Sequence, residues 1–192
     1  MDDLLGEIRK CRICESSLPH QPNPILTGTK NSRLLIIGQA PGRRVNETNI
    51  PWDDPSGKQL RDWLGVSNEQ FYDSDFTALV PMGFCYPGKG KTGDLPPRKE
   101  CAEAWHNRFL QELKGVQLTI LIGQYAQKYY LKESFKSNLT ETVRSFNDYS
   151  PQVIPLPHPS PRNRFWLAKN PWFTSDLIPV LQEQVKMILD FD

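Results

Sequence analysis

Four short, continuous apolar runs limit what this chain can fold into: Leu34 to Ile37, Phe76 to Val80, Leu118 to Ile122 and Val153 to Leu156. None alternates apolar with polar residues, as a strand with one wet face would. Each reads as a strand buried on both faces. Helical patterns separate them. In 57–66, Leu60, Trp63 and Leu64 share a face, and a second piece follows Ser67. In 98–115, Cys101, Trp105, Phe109 and Leu113 recur every four residues, and Gly115 is a stop. Residues 124–135 follow the third run, and 140–149 precede the fourth. A last helix from Ser175 aligns Leu177, Leu181, Val185 and Ile188, with Pro179 close to its start. Strands alternating with helices imply βαβ units with right-handed crossovers. The predicted architecture is α/β: three α/β/α layers around a central four-stranded parallel sheet. The 192 residues suit one domain over 1–192, and no repeat or low-complexity linker divides them.

In such a sheet, ligands bind beyond the C-terminal ends of the strands. The segments there read GQAPG, PMGFCYPGKGKTGDLPPR, GQYAQ and PHPSPRN. Six of the chain's 17 prolines lie in PLPHPSP and in the pair before RKEC, marking rigid loops. In 38–42 the glycines allow a tight turn that brings N–H groups to an anion or a base edge. The loop matches neither a Walker motif nor the dinucleotide fingerprint, and a plain turn is the competing reading. His158 is held between Pro157 and Pro159. A histidine so aimed can donate a hydrogen bond to charge developing on a leaving group. Its alternative is a loop histidine bonded to backbone.

Net charge is +1, so any basic surface is local. From His158 to Asn170 there are three basic residues and no acid, while Lys89, Lys91, Arg98 and Lys99 form a second cluster. Trp52, Tyr86, Phe165 and Trp166 lie near these bases. Stacking rings beside phosphate-seeking cations suit a flipped nucleotide, although each cluster alone could be a solvated face. No apolar run reaches the ~18 residues of a membrane span, and the opening MDDLLGEIRK is no secretory signal. A cytosolic protein keeps its thiols reduced, so the four cysteines are not expected to form disulfides. Cys11 and Cys14 form C-x2-C, and Cys85 and Cys101 are fifteen residues apart. This pattern points to one four-thiolate centre, either a [4Fe–4S] cluster or structural zinc, against four unrelated buried thiols. A zinc ribbon would call for a second C-x2-C.

Together these residues resemble the uracil-DNA glycosylase superfamily, nearest its iron–sulfur-containing family 4 type. Gly38, Ala40-Pro41-Gly42, Pro51, Ser56-Gly57 and Leu60 fall in the frame of that family's first motif, and His158-Pro159-Ser160 matches its C-terminal motif. Cys11, Cys14, Cys85 and Cys101 match its cluster pattern. The likeness runs over about residues 8 to 185. Departures cluster at the base pocket. Gln39 stands for the family's Glu, Val45-Asn46 for a Glu-Asp pair, Pro81 for the Asn that reads uracil, and Trp52 for a stacking Phe. Asp53 and Asp54 are additional carboxylates. The chain reads as a divergent subfamily with a uracil-DNA glycosylase-like fold.

The resemblance implies a base-excision repair enzyme, a monofunctional hydrolase of the N-glycosidic bond of a deaminated base in DNA, with uracil the leading candidate. Its catalytic residues would be His158, Asp54, Asp53 and Gln39, with Asp54 the first choice to orient water. Both aspartates could instead cap the helix after Pro55. Gly38, Gln39, Ala40, Trp52 and His158 would hold the base. Ser56, Pro159, Ser160, Pro161, Arg162, Asn163 and Arg164 would meet the DNA. The four cysteines would bind a structural [4Fe–4S] cluster, with zinc as the alternative. The expected state is a cytoplasmic monomer that acts on DNA and no membrane. Two rivals stand beside this: a catalytically silent damaged-DNA-binding protein of the same fold, and a nucleoside or nucleotide hydrolase.

Overall fold

In the computed structural model, which describes residues 1–190, the four apolar runs become one sheet. Its strands are β1 (Leu34–Ile37), β2 (Thr77–Leu79), β3 (Leu118–Ile122) and β4 (Val153–Leu156). Their order is β2-β1-β3-β4, and every neighbouring pair is parallel. Leu35 faces Ala78 on one side and Thr119 on the other, and Leu121 faces Pro155. Pro155 cannot donate to a ladder and is tolerated because β4 is an edge strand. β2 is shorter than the apolar run that predicts it. Phe76 instead turns its carbonyl onto the N–H groups of Arg33 and Leu34 at the start of β1.

The helices are α1 (Asp2–Arg9), α2 (Arg43–Thr48), α3 (Pro55–Leu64), α4 (Asn68–Tyr72), α5 (Lys99–Cys101), α6 (Asn107–Glu112), α7 (Gly123–Leu131), α8 (Leu139–Arg144), α9 (Arg164–Lys169) and α10 (Ile178–Leu189). Two depart from the predicted pattern. The helix expected over 98–115 is split by a π-helical segment, Ala102–His106, between α5 and α6, and it ends by Leu113. A second π segment, Phe173–Leu177, leads into α10, and Pro179 falls in the first turn of that helix.

Alternate residues of a strand face opposite sides. Leu34, Ile36, Ile120, Ile122 and Leu156 pack under Leu60 and Leu64 of α3, Val143 of α8, and Leu181 and Val185 of α10. Leu35, Ile37, Ala78 and Leu121 pack under Ile8 of α1, Phe109 of α6 and Ala126 of α7. The sheet is thus covered on both faces, giving three α/β/α layers. Each fully buried leucine or isoleucine contributes about 1.5–3 kcal/mol, so truncating Ile120 would loosen the layer formed by α3, α8 and α10. Among the described residues no helix is long and apolar enough to cross a membrane.

The sheet's C-terminal edge is open at three strands and closed at one. After β3, Gly123 begins α7 at once, and the buried Gln127 donates to the carbonyls of Leu121 and Leu156. The loops after β1, β2 and β4 are left to form a site.

Candidate active site

Those three loops surround a cavity of about 610 Å³. Gly38, Gln39 and Ala40 of the β1 loop border it, as do Trp52, Asp54 and Ser56, Pro81 from the end of β2, and His158, Ser160, Pro161 and Arg162 after β4. Sequence positions far apart therefore meet in one place. The β1 and β2 loops are strapped together, because the Gly38 carbonyl accepts from Met82 N–H (2.9 Å) and the Gln39 carbonyl from Gly83 N–H (3.1 Å).

Trp52 is seated by two glycines. A methyl group on Gly38 would come within 2.8 Å of its Cζ2, and one on Gly57 within 1.8 Å of its carbonyl oxygen. Trp52 itself has φ 58°, a left-handed conformation that costs a bulky residue about 1–2 kcal/mol. That cost, met by the surrounding packing, sets the indole 5.9 Å from the His158 ring at an interplanar angle of 34°. Asp54 caps α3, its Oδ1 accepting from Gly57 N–H at 2.8 Å. Asp53 turns the other way, to Arg44 Nε at 3.5 Å, and does not border the cavity.

His158 is held by its own loop. Asn163 Nδ2 donates to the His158 carbonyl (2.7 Å), and Asn163 N–H donates to the Ser160 carbonyl (2.8 Å). Asn163 thus fastens the loop and, like the buried Pro159, does not border the cavity. Arg164 lies outside the cavity lining too, with its guanidinium 4.8 Å from the ring centre of the exposed Phe165. Burial pushes the His158 pKa down, opposed by the charges of Asp54 and Asp94. At neutral pH its imidazole is therefore uncharged, a hydrogen-bond donor through one nitrogen.

On the opposite side of the β2 loop, Cys11, Cys14, Cys85 and Cys101 all border a second, smaller pocket, among Ile13, Leu18 and Phe84. Each sulfur faces one N–H donor: Trp105 Nε1 at Cys11 (3.3 Å), Arg98 at Cys14, the Asn23 backbone at Cys85 and the Phe84 backbone at Cys101 (3.3 Å). Four thiols with four N–H donors form a ligand set suited to a thiolate-bound metal centre. Burial pushes the Cys85 thiol up to about 11 and that of Cys101 to about 12. A cationic centre would offset that cost of ionising them. Among the described residues, no three His, Cys, Asp or Glu side chains are gathered closely enough to hold a single metal ion.

The profile of the Uracil DNA glycosylase superfamily matches residues 26–182, which takes in all three loops of the cavity. The chain belongs to the uracil DNA glycosylase superfamily. It is 23% identical over 166 residues to the Type-4 uracil-DNA glycosylase of Thermotoga maritima, covering 83% of this chain and 81% of that protein. It is 22% identical over 134 residues to the Type-4 uracil-DNA glycosylase of Archaeoglobus fulgidus, covering 67% of this chain and 62% of that protein.

Two features of this superfamily member have no counterpart among the site residues expected from its sequence. His106, 1% exposed at the end of the π segment, donates from Nε2 to the Pro81 carbonyl (3.1 Å), accepts from the Tyr130 hydroxyl at Nδ1, and stacks on Phe84 (5.4 Å). It anchors the β2 loop from behind, at the position where the resemblance leads one to expect a base-reading Asn. Nothing local in AEAWHNR signals that role. Asp94 and Lys89 also border the cavity, from a turn closed by Gly90 N–H to the Gly93 carbonyl (2.6 Å) and Leu95 N–H to the Gly88 carbonyl (2.8 Å). Their signal was available, since they lie in a glycine-rich segment just beyond a strand's C-terminus.

Proposed function

We propose that this protein removes a deaminated base, uracil foremost, from DNA by hydrolysing its N-glycosidic bond without cutting the backbone. One juxtaposition supports this above all: the uncharged His158 imidazole and the Trp52 indole border one cavity, with Arg162 at its rim. A volume of about 610 Å³ lies within the usual range for small-molecule pockets and accommodates one extruded nucleotide. Trp52 stacks on the base, and the turn at Gly38, Gln39 and Ala40 offers backbone groups to its edge. As the C1′–N bond breaks, its electron pair leaves with the base, and the His158 N–H donates to the base carbonyl where that charge collects. Such a donor is worth about 3 kcal/mol in the transition state. The sugar cation is taken up by water, held and deprotonated by a carboxylate at the cavity.

Ser56, Ser160, Pro161 and Arg162 lie along the DNA path, Pro159 and Asn163 shape that loop, and Arg164 reaches a phosphate further out. Cys11, Cys14, Cys85 and Cys101, which border one pocket, would hold a [4Fe–4S] cluster. Bound there, such a cluster would tie the segment after α1 to the β2 loop. The working unit is a cytoplasmic monomer, one domain spanning 1–192.

Single-turnover assays on oligonucleotides carrying deoxyuridine, deoxyinosine or deoxyxanthosine test the reading. Base release that leaves an alkali-labile site is the expected result. Borohydride trapping should find no imine on Lys89. His158→Ala should slow release by a factor of order 10² to 10³ with DNA affinity nearly unchanged. Tight lesion binding without release would identify a silent sensor, and release from free nucleosides alone would identify a small-molecule hydrolase.

A further inference from the structure

Three carboxylates lie near the cavity, and they differ in what else holds them. Asp53 is paired with Arg44 and does not border the cavity. Asp54 borders it, but one of its oxygens is committed to the N-terminus of α3. Asp94 enters from the opposite wall, on the turn between Gly88 and Leu95. Its Oδ2 lies 3.6 Å from where a side chain on Gly42 would begin, so it faces the loop after β1. Its Oδ1 stands 3.4 Å from the hydroxyl of Tyr86, a buried residue that steadies it. Among the described residues Asp94 forms no ion pair, and it is exposed to water. Gly93, next to it, approaches Arg162 to 3.6 Å, measured from where a side chain would start, so this wall closes against the DNA-facing rim.

We infer that Asp94 is the catalytic carboxylate of this site, the group that orients the attacking water and balances the cationic sugar. The assignment rests on the glycosylase reading and deepens it. The C1′–N bond breaks with its electron pair leaving on the base. A lone pair of the water oxygen forms the C1′–O bond. One water proton passes to Asp94 and on to solvent, and the base anion is protonated by solvent, completing a hydrolysis. Orienting a water for attack requires a carboxylate that faces both the cavity and solvent. Among the described residues Asp94 is the one of the three that borders the cavity with neither an ion pair nor a helix cap, its Oδ1 meeting the Tyr86 hydroxyl at 3.4 Å. Asp54 keeps its capping role and contributes charge beside His158.

The test compares Asp94→Asn with Asp54→Asn, because asparagine caps a helix about as well as aspartate and leaves α3 intact. Single-turnover release is measured on whichever oligonucleotide the wild type processes. Affinity is measured for two abasic-site analogues, a cationic pyrrolidine and a neutral tetrahydrofuran. Asp94→Asn should slow release on the order of 10²-fold or more. It should weaken pyrrolidine binding about 10- to 100-fold while leaving tetrahydrofuran binding unchanged, and Asp94→Glu should restore part of both. Asp54→Asn should cost less than about tenfold in rate. Three results would overturn the assignment: wild-type rates for Asp94→Asn, equal losses on both analogues, or the large loss appearing in Asp54→Asn instead. A wild-type protein that releases no base would sink the glycosylase reading itself, an outcome distinct from these.

Discussion

Acid should destabilise this protein through His106, and the size of the effect follows from its burial. Burial drives the His106 pKa down to about 4, against an ordinary value near 6.5 in an unfolded chain. Between those values the unfolded state binds a proton that the native state refuses, so stability must fall as pH falls. Above about pH 6.5 both states are uncharged and nothing is lost. Integrating the linkage relation, His106 alone costs about 2 kcal/mol by pH 5 and about 3 kcal/mol by pH 4. His158, shifted in the same direction, adds to the slope. His106→Gln isolates the effect, because its amide can donate to the Pro81 carbonyl and accept from Tyr130 without titrating. Urea unfolding of both proteins should be followed from pH 7.5 to pH 4. The wild type should lose about 3 kcal/mol more than the variant over that range. Parallel curves would refute the claim that His106 is held uncharged behind the cavity.

Trp52→Ala should weaken binding to a target-containing oligonucleotide by about 1–3 kcal/mol and affect plain duplex less; equal losses would make Trp52 merely a packing residue. Arg162→Ala should weaken DNA binding and lower the slope of log affinity against log salt by about 1, with a smaller effect on single-turnover release. Anaerobically purified protein should be brown, and Cys101→Ser should lose the colour and melt at a lower temperature. Colourless protein carrying stoichiometric zinc would replace the cluster, and metal-free protein would remove the site.

Much of the layout was legible along the chain because its causes are local. Strands buried on both faces require unbroken apolar runs, so Leu34–Ile37 and Leu118–Ile122 announced the sheet before any contact was known. A proline-clamped histidine after the last strand, and a glycine turn after the first, were readable for the same reason, since strand ends in a parallel sheet point to one edge. The cysteine spacing reads as one four-thiolate centre, and all four cysteines border one pocket.

Other features were decided only by tertiary structure. Asp53 and Asp54 are adjacent in sequence, yet one meets Arg44 and the other caps α3. Asn163 reads as a DNA contact along the chain but closes a loop onto the His158 carbonyl. The helix expected through Cys101 and Leu113 carries a π segment, and at its end His106 reaches Pro81 across 25 residues. Asp94 faces Gly42 from a separate loop, so no spacing rule links the two. Periodicity and turn chemistry report which surfaces a segment buries. Which side chain finds a partner depends on how loops from different strands close over the sheet, and that is set by non-local packing.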